Sequence, residues 1–394
     1  MSGLIKGPWE EWIPGVLHKT QIQQLYSNGL IITDSPQGLD VGACAIDLKL
    51  SSEGYKLKRG SVKPSCEYLY HSILTDSEMS ERVQASADGS YLLEARETYV
   101  FKLHERLSPA LARLAIYGQA TAKSSVGRVD VLARLIVDGM NKYESFGPEL
   151  KDKTGNMYIE ITPITLSVMV MPGKALSQLR LFYGKPEEAE IEGEGLFKTL
   201  LGAAATDGTL TVDLSEVNIG GVNAAAFCAR HAKGAIPLWK EADPKPDPCH
   251  YWKFVTADST GRLQIKDSEF YILRSKERLF VPRGVAIYCK ASDETIGEMR
   301  IHYAGFAHPF FGTEREDGQR GTPLIFEVRG HQVNANLVHG EKMANLTCYR
   351  MSRDCDDADR EKGYNEQELE LSKFFMKWQD KLKMIGDGIV EPAA

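Results

Sequence analysis

At 394 residues the chain exceeds a typical single all-β unit and suits two domains. With 43% hydrophobic and 26% charged residues it has an ordinary globular composition, and no apolar run approaches the ~20 residues of a membrane-spanning helix. A net charge of -7 excludes broad electrostatic binding to a nucleic-acid backbone, yet leaves room for a nucleotide, whose phosphates need only a local cluster of Lys, Arg and backbone N–H groups.

In chain order, residues 1–17 carry Glu10 and Glu11 and lack the basic-then-apolar pattern of a secretion signal. Residues 20–28, with Ile22 and Leu25 inside and Gly29 after, predict a short helix with a glycine stop. A further turn or two is predicted over 108–117. Strands are predicted over 161–170 and 278–288, where β-branched residues run between Gly, Pro and Asn breaks. Residues 185–251 are less regular. Within them 209–217 suits a strand, and 235–248, with four prolines and mixed charge, suits a linker. The tail over 366–383 spaces Leu369, Phe374, Phe375, Trp378 and Leu382 at near-helical intervals. The seven cysteines (Cys44, Cys66, Cys228, Cys249, Cys289, Cys348 and Cys355) form an odd, dispersed set, which points to reduced thiols and a cytoplasmic location.

The chain repeats itself. Met157-Tyr158-Ile159-Glu160-Ile161 is echoed by Leu324-Ile325-Phe326-Glu327-Val328. Thirteen residues beyond each Glu stands a glycine, Gly173 and Gly340. Upstream, Tyr99-Val100-Phe101-Lys102 is echoed by Phe270-Tyr271-Ile272-Leu273. Two copies of one β-unit follow, built from many short strands as in a barrel or jelly roll with few short helices. The expected boundaries are 1–185 for the first unit, 186–258 for an irregular connection, and 259–394 for the second unit with its tail.

The chemistry-bearing segment is Ala122-Lys123-Ser124-Ser125-Val126-Gly127-Arg128, followed by Glu160 within a strand. A hydroxyl pair, a fixed cation and a carboxylate on a β-scaffold can hold and activate one water without a metal. Alone, Glu160 would read as the polar face of a strand, Arg128 as a surface ion pair, and Lys123 as a solvated cation.

The Ser-Ser-x-x-Arg segment, the later strand Glu, and the closing Met171-Pro172-Gly173 with Leu176-Ser177-Gln178-Leu179 resemble the dCTP deaminase branch of the dUTPase-like superfamily. The tandem copies are similar to its two-domain bacterial family. The resemblance implies two dUTPase-like barrels and deamination of dCTP to dUTP and ammonia. It assigns Glu160 as the base that takes the water proton, Ser124 as the group that positions the water, and Arg128 as the charge that holds the carboxylate ionised. Lys123, Ser125 and Gln178 are implied as substrate-binding residues.

Two places depart from the family pattern. Where the family carries a His-Arg-Ile-Asp-Pro-Gly loop, the first copy reads Asp138-Gly139-Met140-Asn141-Lys142-Tyr143. The second copy has the hairpin instead, His302-Tyr303-Ala304-Gly305-Phe306-Ala307-His308-Pro309, but reads Ala291-Ser292-Asp293-Glu294 where the hydroxyl segment would stand. The copies are therefore complementary, and Tyr303, Gly305 and Phe306 are implied as base and sugar contacts. In the tail, Tyr364, Gln367 and Lys373 resemble the family's Tyr-x-x-Gln lid over the triphosphate. Magnesium is implied with the triphosphate.

His339-Gly340-Glu341 matches half of a zinc deaminase signature, but Pro248-Cys249 is followed by no second Cys, so no catalytic zinc is expected. The expected partners are a deoxycytidine nucleotide and further copies of the chain, a trimer by family resemblance, unless the two copies complete the site internally. Two other readings stand beside deamination. One is a dUTP diphosphatase, alone or bifunctional, against which His308 stands in the place of an Asp. The other is a non-enzymatic nucleotide-binding paralogue.

Overall fold

The computed structural model describes residues 8–150, 155–291, 299–302, 305–312, 320–360 and 367–393. They form a mainly β protein of two barrel-like units with few short helices, as the repeat implies. Tyr303 and Tyr364, and the acidic pair Asp293 and Glu294, lie outside the described residues.

Helix α1 (Lys19–Ser27) forms where predicted. His18 accepts from the Thr20 N–H, Gln21 reaches back to the His18 N–H, and Gly29 takes the positive φ that ends it. The first sheet is built from β1 (Ile46–Leu57), β2 (Tyr99–Leu107), β3 (Ile116–Ala122), β4 (Val131–Val137), β5 (Asn156–Pro163) and β6 (Ala175–Tyr183). Their order is β3-β6-β1-β2-β5-β4. The strand expected over 161–170 is broken: β5 ends at Pro163 and pairing resumes at Val168–Val170.

The second sheet contains β7 (Thr209–Asp213), β8 (Ala226–Ala229), β9 (Trp252–Val255), β10 (Phe270–Leu279), β11 (Val285–Ala291), β12 (Gly305–Ala307), β13 (Thr322–Gly330) and β14 (Lys342–Arg350). Its main path runs β9-β8-β10-β7-β14-β11-β12, and β13 pairs with β10. Residues 186–258 are therefore not an irregular connection: β7, β8 and β9 are strands of the second sheet. Their alternation is short and split by Gly220-Gly221 and the proline stretch, which hides it from periodicity.

β10 reads Phe-Tyr-Ile-Leu because both of its faces are buried. Tyr271 and Leu273 enter the second unit's core, whereas Phe270 and Ile272 pack into the first unit's core cluster with Phe227 and Trp252. The tail completes that layer. No helix forms across residues 367–381. Instead Leu369, Leu371, Phe374 and Phe375 pack irregularly there, and the Trp378 ring meets Phe254 at 4.8 Å. The apolar spacing that suggested a helix is the footprint of burial against the second sheet.

Candidate active site

Helix α2 (Ser124–Gly127) is a single turn set between β3 and β4. Lys123 N–H donates to the Leu176 carbonyl on β6 at 2.9 Å, and Arg128 N–H closes the turn on the Ser124 carbonyl at 3.1 Å. This tight turn buries Ser125 and Arg128 while Ser124 stays exposed.

The turn lies against the second unit's β13. Alternation along β13 sends Phe326 and Val328 into the second core, and sends Ile325, Glu327 and Arg329 toward the first unit. Arg329 pairs there with the buried Asp130, and its guanidinium also reaches Thr165. Between the units opens a cavity of about 800 Å³. Lys123, Ser124, Ser125, Arg128, Gln178, Gly305, Phe306, Gln367 and Lys373 all line it, as does Glu327. Ten of the twelve residues expected at the site, Glu160 and these nine, are described; the nine meet here.

Glu160 does not line this cavity. It sits on β5 opposite Arg134 of β4, is 1% exposed, and is held by the Arg134 guanidinium and by the Tyr143 hydroxyl at 3.1 Å. Tyr143 and Tyr70 both donate to the Val62 carbonyl, and Tyr70 packs against Tyr158 on the same face of β5. The chain's own residues 62–75 thus cover that face. The carboxylate that joins the hydroxyl segment is the repeat counterpart, Glu327.

Burial pushes the Glu327 carboxyl up to about 8, with Arg128 the charge that opposes the rise. Arg128 donates to the Glu370 carbonyl at 3.2 Å and to the Gln367 side chain, and Gln367 donates to the Pro323 carbonyl at 2.8 Å. Ser372 donates to the Ser125 carbonyl at 2.7 Å. The tail therefore crosses the hydroxyl segment, and it is anchored by Glu368 on Arg274 and Arg278.

At the hairpin, β12 pairs with β11, and the Phe306 ring packs at 5.7 Å from Tyr288. Behind Phe306 lies Arg180 of β6, fully buried, its guanidinium carbon 3.9 Å from the ring centre. Arg180 donates to the carbonyls of Ile287 at 3.0 Å and Ala307 at 3.4 Å. His308 is held neutral, pushed down to about 3 by burial and then by Arg180, and contacts Gln178 at 3.3 Å and Cys44 at 3.2 Å. Sequence reasoning missed Arg180, because nothing in Leu179-Arg180-Leu181 tells a buried cross-unit arginine from a surface one.

Of the half-signature for zinc, His339 accepts from the Leu214 N–H at 3.2 Å in a turn of the second unit and lines no part of this cavity. His18, Cys355 and Asp359 are close enough to share a cation. There His18 is 2.7 Å from Asp359 and Lys19 takes the other carboxylate oxygen, an ion-paired clamp just before the tail.

The class is that of tandem β-barrel units that share one cavity. The model of the 2'-deoxycytidine 5'-triphosphate deaminase N-terminal domain matches residues 13–185, and that of its C-terminal domain matches residues 191–375. The chain belongs to the two-domain dCTP deaminase family. It is similar to the crystal structure of 2'-deoxycytidine 5'-triphosphate deaminase from Agrobacterium tumefaciens, at 27% identity and a TM-score of 0.76, over 87% of this chain and 97% of that one. No curated protein matches the chain.

Proposed function

We propose that the protein deaminates dCTP to dUTP and ammonia at one centre per chain, with Glu327 as its general base. The observation that carries this reading is the convergence of Glu327, Ser124 and Arg128, from different units, on one cavity. Glu327 accepts a proton as water attacks C4 of the cytosine and passes it to N3. Glu327 then carries the proton of the C4 hydroxyl to the amino group, the C4–N bond breaks as C4=O forms, and ammonia leaves, so that dCTP plus water gives dUTP plus ammonia. The reaction is hydrolysis of the C–N bond of a cyclic amidine. A carboxyl poised near 8 exchanges protons in both directions near neutral pH, as this shuttle requires.

Ser124 orients the water, and Arg128 stabilises the ionised carboxylate and the charge that develops at C4. The backbone of β12 reads the base, Phe306 covers the sugar, and Gln178 supports the hairpin through His308. Lys123, Ser125 and Lys373 take the phosphates, with Gln367 closing the tail over them. Tyr303 and Tyr364 keep the base and lid roles that the family resemblance gives them. Magnesium enters on the triphosphate as part of the substrate. Asp40 and Asp47, cross-strand partners that line the same cavity, are oxygen donors of the kind it takes. The reading places the enzyme in cytoplasmic pyrimidine deoxynucleotide metabolism.

The test is product analysis with dCTP, dCDP and dCMP, with and without magnesium. The expected result is equimolar ammonia and dUTP from dCTP. Release of diphosphate from dUTP without ammonia from dCTP would overturn the reading in favour of a diphosphatase. Binding without any turnover would leave a nucleotide-binding paralogue.

A further inference from the structure

His18 of the first unit meets the segment from Cys355 to Asp359, which follows the second sheet and leads into the tail. His18 is the N-cap of α1, and its own N–H donates to the Gln21 side chain at 2.9 Å. Cys355 N–H donates to the Arg283 carbonyl at 3.1 Å, and Asp356 N–H donates to the Asp359 carboxylate at 2.7 Å. Gln21 also donates to the Ser352 hydroxyl at 2.9 Å, which ties α1 to the same stretch of chain. Backbone contacts on both sides therefore hold the three side chains in place.

A nitrogen, a sulfur and an oxygen, offered by His18, Cys355 and Asp359, lie within 4.8 Å of one another, and all three residues are buried. The pairing of Asp359 with His18 and Lys19 accounts for two of the three. It does not account for Cys355, which is 1% exposed and whose thiol no hydrogen bond engages among the described residues. Thiolate, imidazole and carboxylate together are donors for zinc, whereas magnesium and calcium take oxygen alone. Tetrahedral bonds of ~2.0–2.3 Å set donors ~3.3–3.5 Å apart, so small side-chain rotations fit the cluster around one ion. Nδ1 of His18 is 2.8 Å from the Thr20 hydroxyl, which can take the ring proton once Nε2 turns to a metal. Lys19 keeps the other carboxylate oxygen. Lys19 and Asp359 also line the cavity, which gives the ion a way in and a water for the fourth position.

We propose that His18, Cys355 and Asp359 form a structural zinc site that staples α1 of the first unit to the segment leading into the tail. On binding, the Cys355 thiol gives its proton to solvent, the His18 ring proton moves from Nε2 to Nδ1, and Asp359 coordinates as the carboxylate it already is. The ion supplies no hydroxide to the cytosine. It fixes the start of the tail, whose Gln367 and Ser372 reach the hydroxyl segment. The site stands on these donors alone and does not depend on the deaminase reading.

The experiment uses the full chain without a histidine tag, together with Cys355→Ser and, as a control for the exposed thiol, Cys66→Ser. After metals are removed with a chelator, zinc is titrated by calorimetry, cobalt by absorbance, and melting is followed with and without zinc. Wild type and Cys66→Ser are expected to bind a single zinc, to melt higher with it, and to show the thiolate-to-cobalt charge-transfer band. Cys355→Ser is expected to bind zinc about 100-fold more weakly or worse, since loss of an outer-shell partner alone costs ~10–100-fold, and to gain no melting temperature from it. If Cys355→Ser does not fold, the cobalt band in wild type and Cys66→Ser decides. No zinc bound by wild type, a cobalt spectrum without the thiolate band, or equal zinc affinity in Cys355→Ser would overturn the site and leave the ion-paired clamp alone.

Discussion

Arg128 in the first unit is the charge that opposes the burial-driven rise of the Glu327 carboxyl in the second. Neither unit alone carries the pair. Glu160, the counterpart of Glu327, has spent its carboxylate on Arg134 and Tyr143 beneath residues 62–75. Glu327→Gln is therefore expected to lose ~10²–10⁴ in kcat, the usual range for a removed general base, while nucleotide binding survives. Glu160→Gln should keep kcat within a few-fold and lower the melting temperature, because it leaves Arg134 half-buried without its partner. Ammonia release and thermal melting on both variants check this.

The raised Glu327 carboxyl also predicts a pH dependence of stability. The folded chain holds this proton to about 8, whereas the unfolded chain releases it near 4.5. Folded protein therefore binds more protons in that window, and unfolding becomes easier as pH rises. The contribution is fully present below about 4.5, declines through the window, and is gone above about 8. Relative to Glu327→Gln, which has no such proton, wild type should lose melting temperature between pH 5 and pH 8.5. A constant difference between the two across that range would contradict the assignment.

The tail is expected to act as a lid whose removal does more than open the site. Truncation after Arg360 would strip Leu369, Leu371, Phe374 and Phe375 from the core, so point variants are the cleaner probe. Gln367→Ala removes the side chain that joins Arg128 to the Pro323 carbonyl. It should raise KM for dCTP about tenfold, the equivalent of one charge-assisted hydrogen bond of ~1.5 kcal/mol, together with a fall in melting temperature, because the buried Pro323 carbonyl loses its donor. A matched fall in stability with unchanged KM would mean that the tail only packs.

Arg180 couples the units behind the hairpin. Arg180→Leu keeps some volume but leaves the Ile287 and Ala307 carbonyls without their donor, at about 1–3 kcal/mol for each buried acceptor. A fall in melting temperature is expected together with a rise in KM, since Phe306 loses the guanidinium that backs its ring. Loss of stability without any change in KM would separate the hairpin's position from this residue.

The strand-rich tandem architecture was legible in the sequence because alternation and the repeat are local signals. So were Ser124, Ser125 and Arg128, which sit in one contiguous turn. The choice between Glu160 and Glu327 was not legible, since both stand mid-strand in similar runs, and only the covering of one face by residues 62–75 separates them. The complementary motifs of the copies carried the clue: a hydroxyl segment in one and a hairpin in the other point to a site shared across the chain.

The central claim is that both units of one chain build one centre. It is tested most directly by complementation between two inactive variants, Arg128→Ala and Glu327→Gln, co-expressed with different tags and purified through both. Each mixed assembly then contains intact Arg128 on one chain and intact Glu327 on another. The account predicts no ammonia release from dCTP above that of either variant alone. Activity regained in the mixed assemblies would show that the centre forms between chains and contradict it.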